Sequence, residues 1–140
     1  MLRRLRADLP SAETLKTMPG GSDILELRSA SGQMALLRYL IDHERCTMQE
    51  VATQLVVTPP TATGIVKKLL AHGYVERLRH EEDWRVVTIQ LTERGRQAVT
   101  LYDHIRHDAL QQRLVYLSEE EQQQIRNALP ALKHLITLEL

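Results

Sequence analysis

Between Thr47 and Leu91 the apolar positions repeat one helical period twice and then change to strict alternation, with chemical signals at the boundaries. Val51, Ala52 and Leu55 sit at helical spacing, and Ile65, Val66, Leu69 and Leu70 repeat it. Val87, Ile89 and Leu91 then alternate along a β-branched run. The first helix opens with a capping box, Thr47 accepting the amide of Glu50 while Glu50 reaches back to the amide of Thr47. A Val56-Val57 connector leads to Thr58-Pro59-Pro60, a hydroxyl N-cap with prolines in a first turn where the missing N–H costs little. The second helix is predicted to run to about His72 and to stop at Gly73. Strands at Tyr74–Arg79 and Val86–Leu91 follow, with a charged tip from His80 to Trp84 between them. This order reads as a helix-turn-helix followed by a wing, an architecture that docks on DNA.

The flanks are helical. Leu2, Leu5 and Leu9 make an amphipathic start with Arg3, Arg4 and Arg6 on the wet side. Pro10-Ser11 is a break and a new cap, Pro19-Gly20-Gly21 a loop, and Asp23–Arg28 one or two apolar helical turns. Met34, Leu37, Leu40 and Ile41 define a helix from about Gly32 to His43, with Ser29 or Ser31 expected as its cap. Arg45-Cys46-Thr47 is short enough to add a third strand beside the wing. Thr92 caps a long helix to about Leu117, and Ser118 with Glu121 opens a last one carrying Ile125, Leu129, Leu132, Leu135 and Ile136. Pro130 is expected to kink or split that last helix. The expected fold is mainly α with a small antiparallel β-wing, in one compact domain. Residues 31–95 form the winged helix-turn-helix, and residues 1–30 and 96–140 supply dimerisation helices. Apolar stripes beyond the needs of a small winged domain point to a two-fold homodimer.

Composition narrows the class. A chain of 140 residues, 43% hydrophobic and 26% charged, suits one globular domain. No apolar run approaches the roughly 20 residues that span a bilayer, and the basic N-terminus lacks the apolar core of a secretory signal. A single cysteine, Cys46, excludes an intrachain disulfide and fits a reducing compartment, so a cytoplasmic location is expected. The charge balance is 18 basic against 18 acidic residues, so DNA binding has to rest on where the charges lie.

Three stretches carry a resemblance: Gln33-Met34-Ala35-Leu36-Leu37-Arg38, then Thr58 to Leu69, then Asp83-Trp84-Arg85 followed by Leu91-Thr92-Glu93-Arg94-Gly95. On these the chain resembles the MarR family of winged-helix transcriptional regulators. The resemblance implies terminal helices that form a dimer interface. It also implies a small-molecule or redox signal read between the dimer and DNA-binding regions. The chain departs from the family pattern at Gly64, where an Arg is common, at Pro59-Pro60, at Trp84 in the wing, and at Pro10 and Pro19, which break the long first helix.

The expected partner is double-stranded DNA. Thr58, Thr61, Thr63 and Gly64 would lie at the major-groove end of the second helix, with hydroxyls and methyls toward bases and Gly64 allowing close backbone approach. Lys67, Lys68, Arg77 and Arg79 suit phosphates. Arg85 is placed in the minor groove, held by Asp83, with Trp84 packing beside it. A small-molecule effector is expected to release the DNA; no cofactor, membrane partner or catalytic set is expected. Asp103, His104 and His107 lie on one helix at a spacing that suits zinc, but no third ligand is identifiable from elsewhere, so a solvated face is the simpler reading. Cys46 reads as a packed thiol, not a redox sensor. The alternatives are a winged-helix protein-interaction module without DNA binding and a zinc-responsive regulator.

Overall fold

The computed structural model describes residues 10–29, 32–79 and 87–138. In chain order these form α1 (Ala12–Thr17), α2 (Gly21–Ser29), α3 (Gln33–His43), β1 (Arg45–Thr47), α4 (Met48–Leu55) and α5 (Pro59–Ala71), then β2 (Val75–Arg79), β3 (Val87–Leu91), α6 (Glu93–Leu114) and α7 (Glu119–Thr137). They fall into two compact units, one spanning 10–104 and the other, among the described residues, 105–138; α6 begins in the first and continues into the second. The expected amphipathic start at Leu2–Leu9, Ser31 and the wing tip with its Asp83-Trp84-Arg85 lie outside the described residues.

Local chemistry starts most helices where the sequence places them. Ser11 accepts the N–H of Thr14 at 3.2 Å and opens α1. Thr47 accepts the N–H of Glu50 at 3.3 Å, and its own N–H donates to Glu50 Oε2 at 2.7 Å. Those backbone and hydroxyl donors hold the Glu50 carboxyl below the usual carboxylate range. The expected Ser29 or Ser31 cap on α3 is corrected: Gly32 stands at the N-cap position, at φ 84°. A Cβ on Gly32 would stand 2.9 Å from Ile65 Cδ1, so both the left-handed backbone and the close approach of α3 to α5 select glycine there.

The sheet is antiparallel with strand order β1-β3-β2, so the short run at Arg45–Thr47 does add a third strand. Cys46 pairs with Ile89, and Arg77 and Arg79 pair with Ile89 and Val87. The core of the first unit joins Leu36, Leu37 and Leu40 of α3, Val51 of α4, Ala62, Val66 and Leu69 of α5, and Ile89 and Leu91 of β3. Removing this apolar surface from water, at roughly 25 cal/mol per Å², is what fixes α5 against the sheet.

In the second unit Ser118 and Glu121 form the expected capping box. Of the kink or split expected at Pro130, the split does not occur: α7 runs unbroken from Glu119 to Thr137. Pro130 and Arg126, whose carbonyl loses its N–H partner, are both exposed, so water can satisfy that carbonyl. The described α7 has no buried residue.

Candidate nucleic-acid interface

Helix α5 begins at the Thr58 cap, whose hydroxyl accepts the N–H of Thr61 at 3.4 Å and lies 2.9 Å from Thr61 Oγ1. Pro59 and Pro60 occupy the first turn, where a ring without an N–H costs nothing in hydrogen bonds. Ala62, Ile65, Val66 and Leu69 face inward. The opposite face is exposed: Thr61, Gly64 and Lys68 follow one helical stripe, with Thr63 and Lys67 beside it. Thr63 donates its hydroxyl proton to the carbonyl of Pro59 at 3.0 Å, so its oxygen is left to accept and its methyl to pack. A Cβ on Gly64 would meet nothing within 4 Å, so close backbone approach to that surface is open. Arg77 and Arg79 are exposed on the edge strand β2. The structure thus brings Thr58, Thr61, Thr63, Gly64, Lys67 and Lys68 onto one helix surface. Asp83, Trp84 and Arg85 are outside the described residues.

A polar cluster fixes the other end of α5. Arg94 Nη1 donates to the carbonyl of His72 at 2.6 Å, while its Nε and Nη2 donate to the Asp23 carboxylate at 3.1 and 2.7 Å. The same guanidinium lies over the Tyr74 ring, 4.7 Å from the centroid. Tyr74 donates to Glu26 Oε2 at 3.2 Å, and Glu26 Oε1 lies 2.5 Å from His72 Nδ1. The Arg94 hydrogen bonds hold the Asp23 carboxyl below its usual range, and burial drives the Tyr74 phenol well above its own. Thr92 completes the junction, donating to the carbonyl of Gly73 at 2.6 Å and accepting the N–H of Gly95 at 3.1 Å. Asp23, Glu26 and Tyr74 were not foreseen as positioning groups. Their partners lie up to 71 positions away, so no local pattern marks them.

Two of the three metal candidates are engaged with other side chains. Asp103 pairs with Arg38, and His107 Nε2 lies 2.9 Å from Gln111 Nε2. Among the described residues no three His, Cys, Asp or Glu come together as a set that could hold a metal ion. Cys46 is 1% exposed in β1, and burial pushes its thiol up to about 11, so little reactive thiolate forms at neutral pH.

Two helices in a tight turn, a following β-hairpin and a third strand closing the sheet define a winged helix-turn-helix. Comparison with known proteins makes this specific. The MarR family profile matches residues 31–87. The chain is 30% identical over 103 residues to the HTH-type transcriptional regulator BilQ of Clostridium symbiosum, covering 71% of this chain and 72% of that protein. It is 29% identical over 115 residues to the HTH-type transcriptional regulator YfiV of Bacillus subtilis, covering 82% and 72%. Streptococcus pneumoniae FabT, solved in complex with DNA, matches with a TM-score of 0.60 at 28% identity over 76% of this chain and 75% of that one. The chain belongs to the MarR family, a family of transcriptional regulators and not of enzymes.

Proposed function

We propose that the protein is a homodimeric repressor that binds a pseudo-palindromic operator and is released from it by a small-molecule effector. The observation that carries the reading is the exposed α5 surface from Thr58 to Lys68, held rigidly at both ends. In the proposed complex its N-terminal half lies in the major groove, with Thr61 and Thr63 toward base edges and Gly64 letting the backbone close on the duplex. Thr58, Lys67, Lys68, Arg77 and Arg79 take phosphates, and Arg85, held by Asp83 and flanked by Trp84, enters the minor groove. That the similar FabT of Streptococcus pneumoniae is solved in complex with DNA supports DNA as the partner. Residues 31–95 are the DNA-binding region, and 1–30 with 96–140 the dimerisation region. Two copies would set their α5 helices one helical turn of DNA apart, roughly 34–36 Å. An effector that prefers another separation shifts the population off DNA. The reading places the protein in the cytoplasm, with the DNA.

The test is to sequence the DNA retained by the purified protein and titrate the recovered site by fluorescence anisotropy at several salt concentrations. A palindromic site and an affinity falling steeply with salt are expected. Recovery of no preferred sequence, with no salt-dependent binding, would favour a protein-interaction module instead. Arg85→Ala is expected to weaken binding by about 1–3 kcal/mol, and unchanged affinity would remove the wing from the mechanism.

A further inference from the structure

The first turns of α5 offer few polar groups for an element that faces bases. Pro59 and Pro60 have no N–H, the N–H of Thr61 goes to Thr58 Oγ1 at 3.4 Å, and that of Ala62 goes to the Thr58 carbonyl at 2.9 Å. The amide donors with which a helix start ordinarily holds a phosphate are therefore missing or spent. Hydroxyl protons are scarce as well. Thr63 donates to the Pro59 carbonyl at 3.0 Å, and Thr58 Oγ1 and Thr61 Oγ1 lie 2.9 Å apart, one donating to the other. Opposite the buried Ala62, Ile65, Val66 and Leu69, the middle of the exposed face opens with Pro60, continues with Gly64 and meets its first charge at Lys67. Pro60 and Thr63 are both exposed and stand three residues apart, so ring and methyl are neighbours on the helix surface.

We infer that the Pro60 ring and the Thr63 methyl together read the C5 methyl of thymine, and that each half of the operator carries a thymine at that step. Of the base edges in the major groove, thymine alone carries a methyl; guanine, adenine and cytosine present hydrogen-bonding atoms there. Against a proline ring those atoms lose water and gain no partner, which is costly. The thymine methyl loses water to its advantage. Gly64, with nothing within 4 Å of where its Cβ would be, leaves the base edge room to close on the patch. Sequence preference at this step comes from apolar fit, while Lys67 and Lys68 hold the backbone. The preference rests on the DNA-binding reading and adds Pro60 to it as a specificity-determining residue.

The probe is the duplex that the full chain enriches from a random DNA library, resynthesised with each thymine replaced singly by deoxyuridine, which removes only the C5 methyl. Anisotropy titration should show one thymine per half-site at which uracil weakens binding about fourfold, the effect of one methyl left unburied. 5-Bromouracil, whose bromine fills the place of the methyl, should restore the affinity. Pro60→Ala removes the ring, and Thr63→Ser removes the methyl while keeping the hydroxyl that bonds Pro59. Each should shrink the uracil effect at that thymine, and the double variant should bind the thymine and uracil duplexes alike. Salt-dependent binding to unrelated DNA, carried by the lysines and arginines, should stay unchanged in these variants and so show that they fold. An enriched site at which every uracil is neutral, or a loss that bromouracil does not restore, overturns the methyl reading. A loss retained in full by both single variants overturns the assignment to Pro60 and Thr63. Enrichment of no sequence, with no salt-dependent binding, overturns the DNA-binding reading itself before any uracil is introduced.

Discussion

Val56 sits at odds with its own chemistry. It ends α4 at φ 53°, a left-handed conformation that β-branched residues avoid, and its side chain is 89% exposed. The conformation is imposed by the tight turn, in which the N–H groups of Val56 and Val57 bond the carbonyls of Thr53 and Ala52 at 3.2 and 3.0 Å. Glycine would take the same path without the Cβ clash and with no burial to lose. Val56→Gly is expected to raise stability by about 1 kcal/mol, read as a higher urea midpoint; a lower midpoint would refute the strain. Cys46 makes the opposite case, a side chain at ease and out of reach. Ellman's reagent is expected to leave it unmodified in the native protein and to titrate one thiol in urea; rapid native reaction would show an accessible thiolate. Gly95 explains the end of the Leu-Thr-x-x-Gly stretch, because a Cβ there would lie 2.0 Å from the carbonyl of Tyr74.

Among elements, those legible in the sequence are the ones whose signals are local. The caps of α4 and α5 are written within four residues, and the apolar stripes of α4, α5 and β3 give their inward faces directly. The start of α3 near Gly32 is legible, but glycine as its cap is not, because its cause, the contact of Gly32 with Ile65, lies 33 positions away (65 − 32) in another helix. Sequence left a kink or a split open at Pro130, because exposure, which sequence does not report, decides whether the lost hydrogen bond breaks the helix. Invisible too was the bond between α2 and α6 that clamps the end of α5. Asp23 is more acidic folded than unfolded, so its contribution is complete above its ordinary value near 3.8 and is lost as pH falls through the lowered one. Unfolding free energy should therefore be level near neutral pH and decline below about pH 4. Asp23→Asn should flatten part of that decline and cost about 1–3 kcal/mol at pH 7; an identical acid profile in the variant would show that other carboxylates carry it.

For the whole molecule, net charge and shape pull in different directions. A balance of 18 basic and 18 acidic residues gives little bulk attraction to nucleic acid, so binding depends on the local array along α5 and the hairpin. The array on α5 could be drawn from the sequence, while which of its hydroxyls were already engaged could not, because Thr63 spends its proton on its own helix. The last helix leaves Leu129, Leu132 and Leu135 between 49% and 66% exposed, a stripe that the proposed dimer would cover. Leu129→Glu combined with Leu132→Glu is expected to give a folded monomer in multi-angle light scattering; a dimer that survives both charges would place the interface elsewhere. The bare stripe also bears on dosage. If two protomers must join before either grips its half of the operator, then well below the dimer dissociation constant occupancy scales with the square of protomer number. Halving synthesis of the chain would then cut occupancy fourfold, a steep response to which the apolar side chains of α7 contribute.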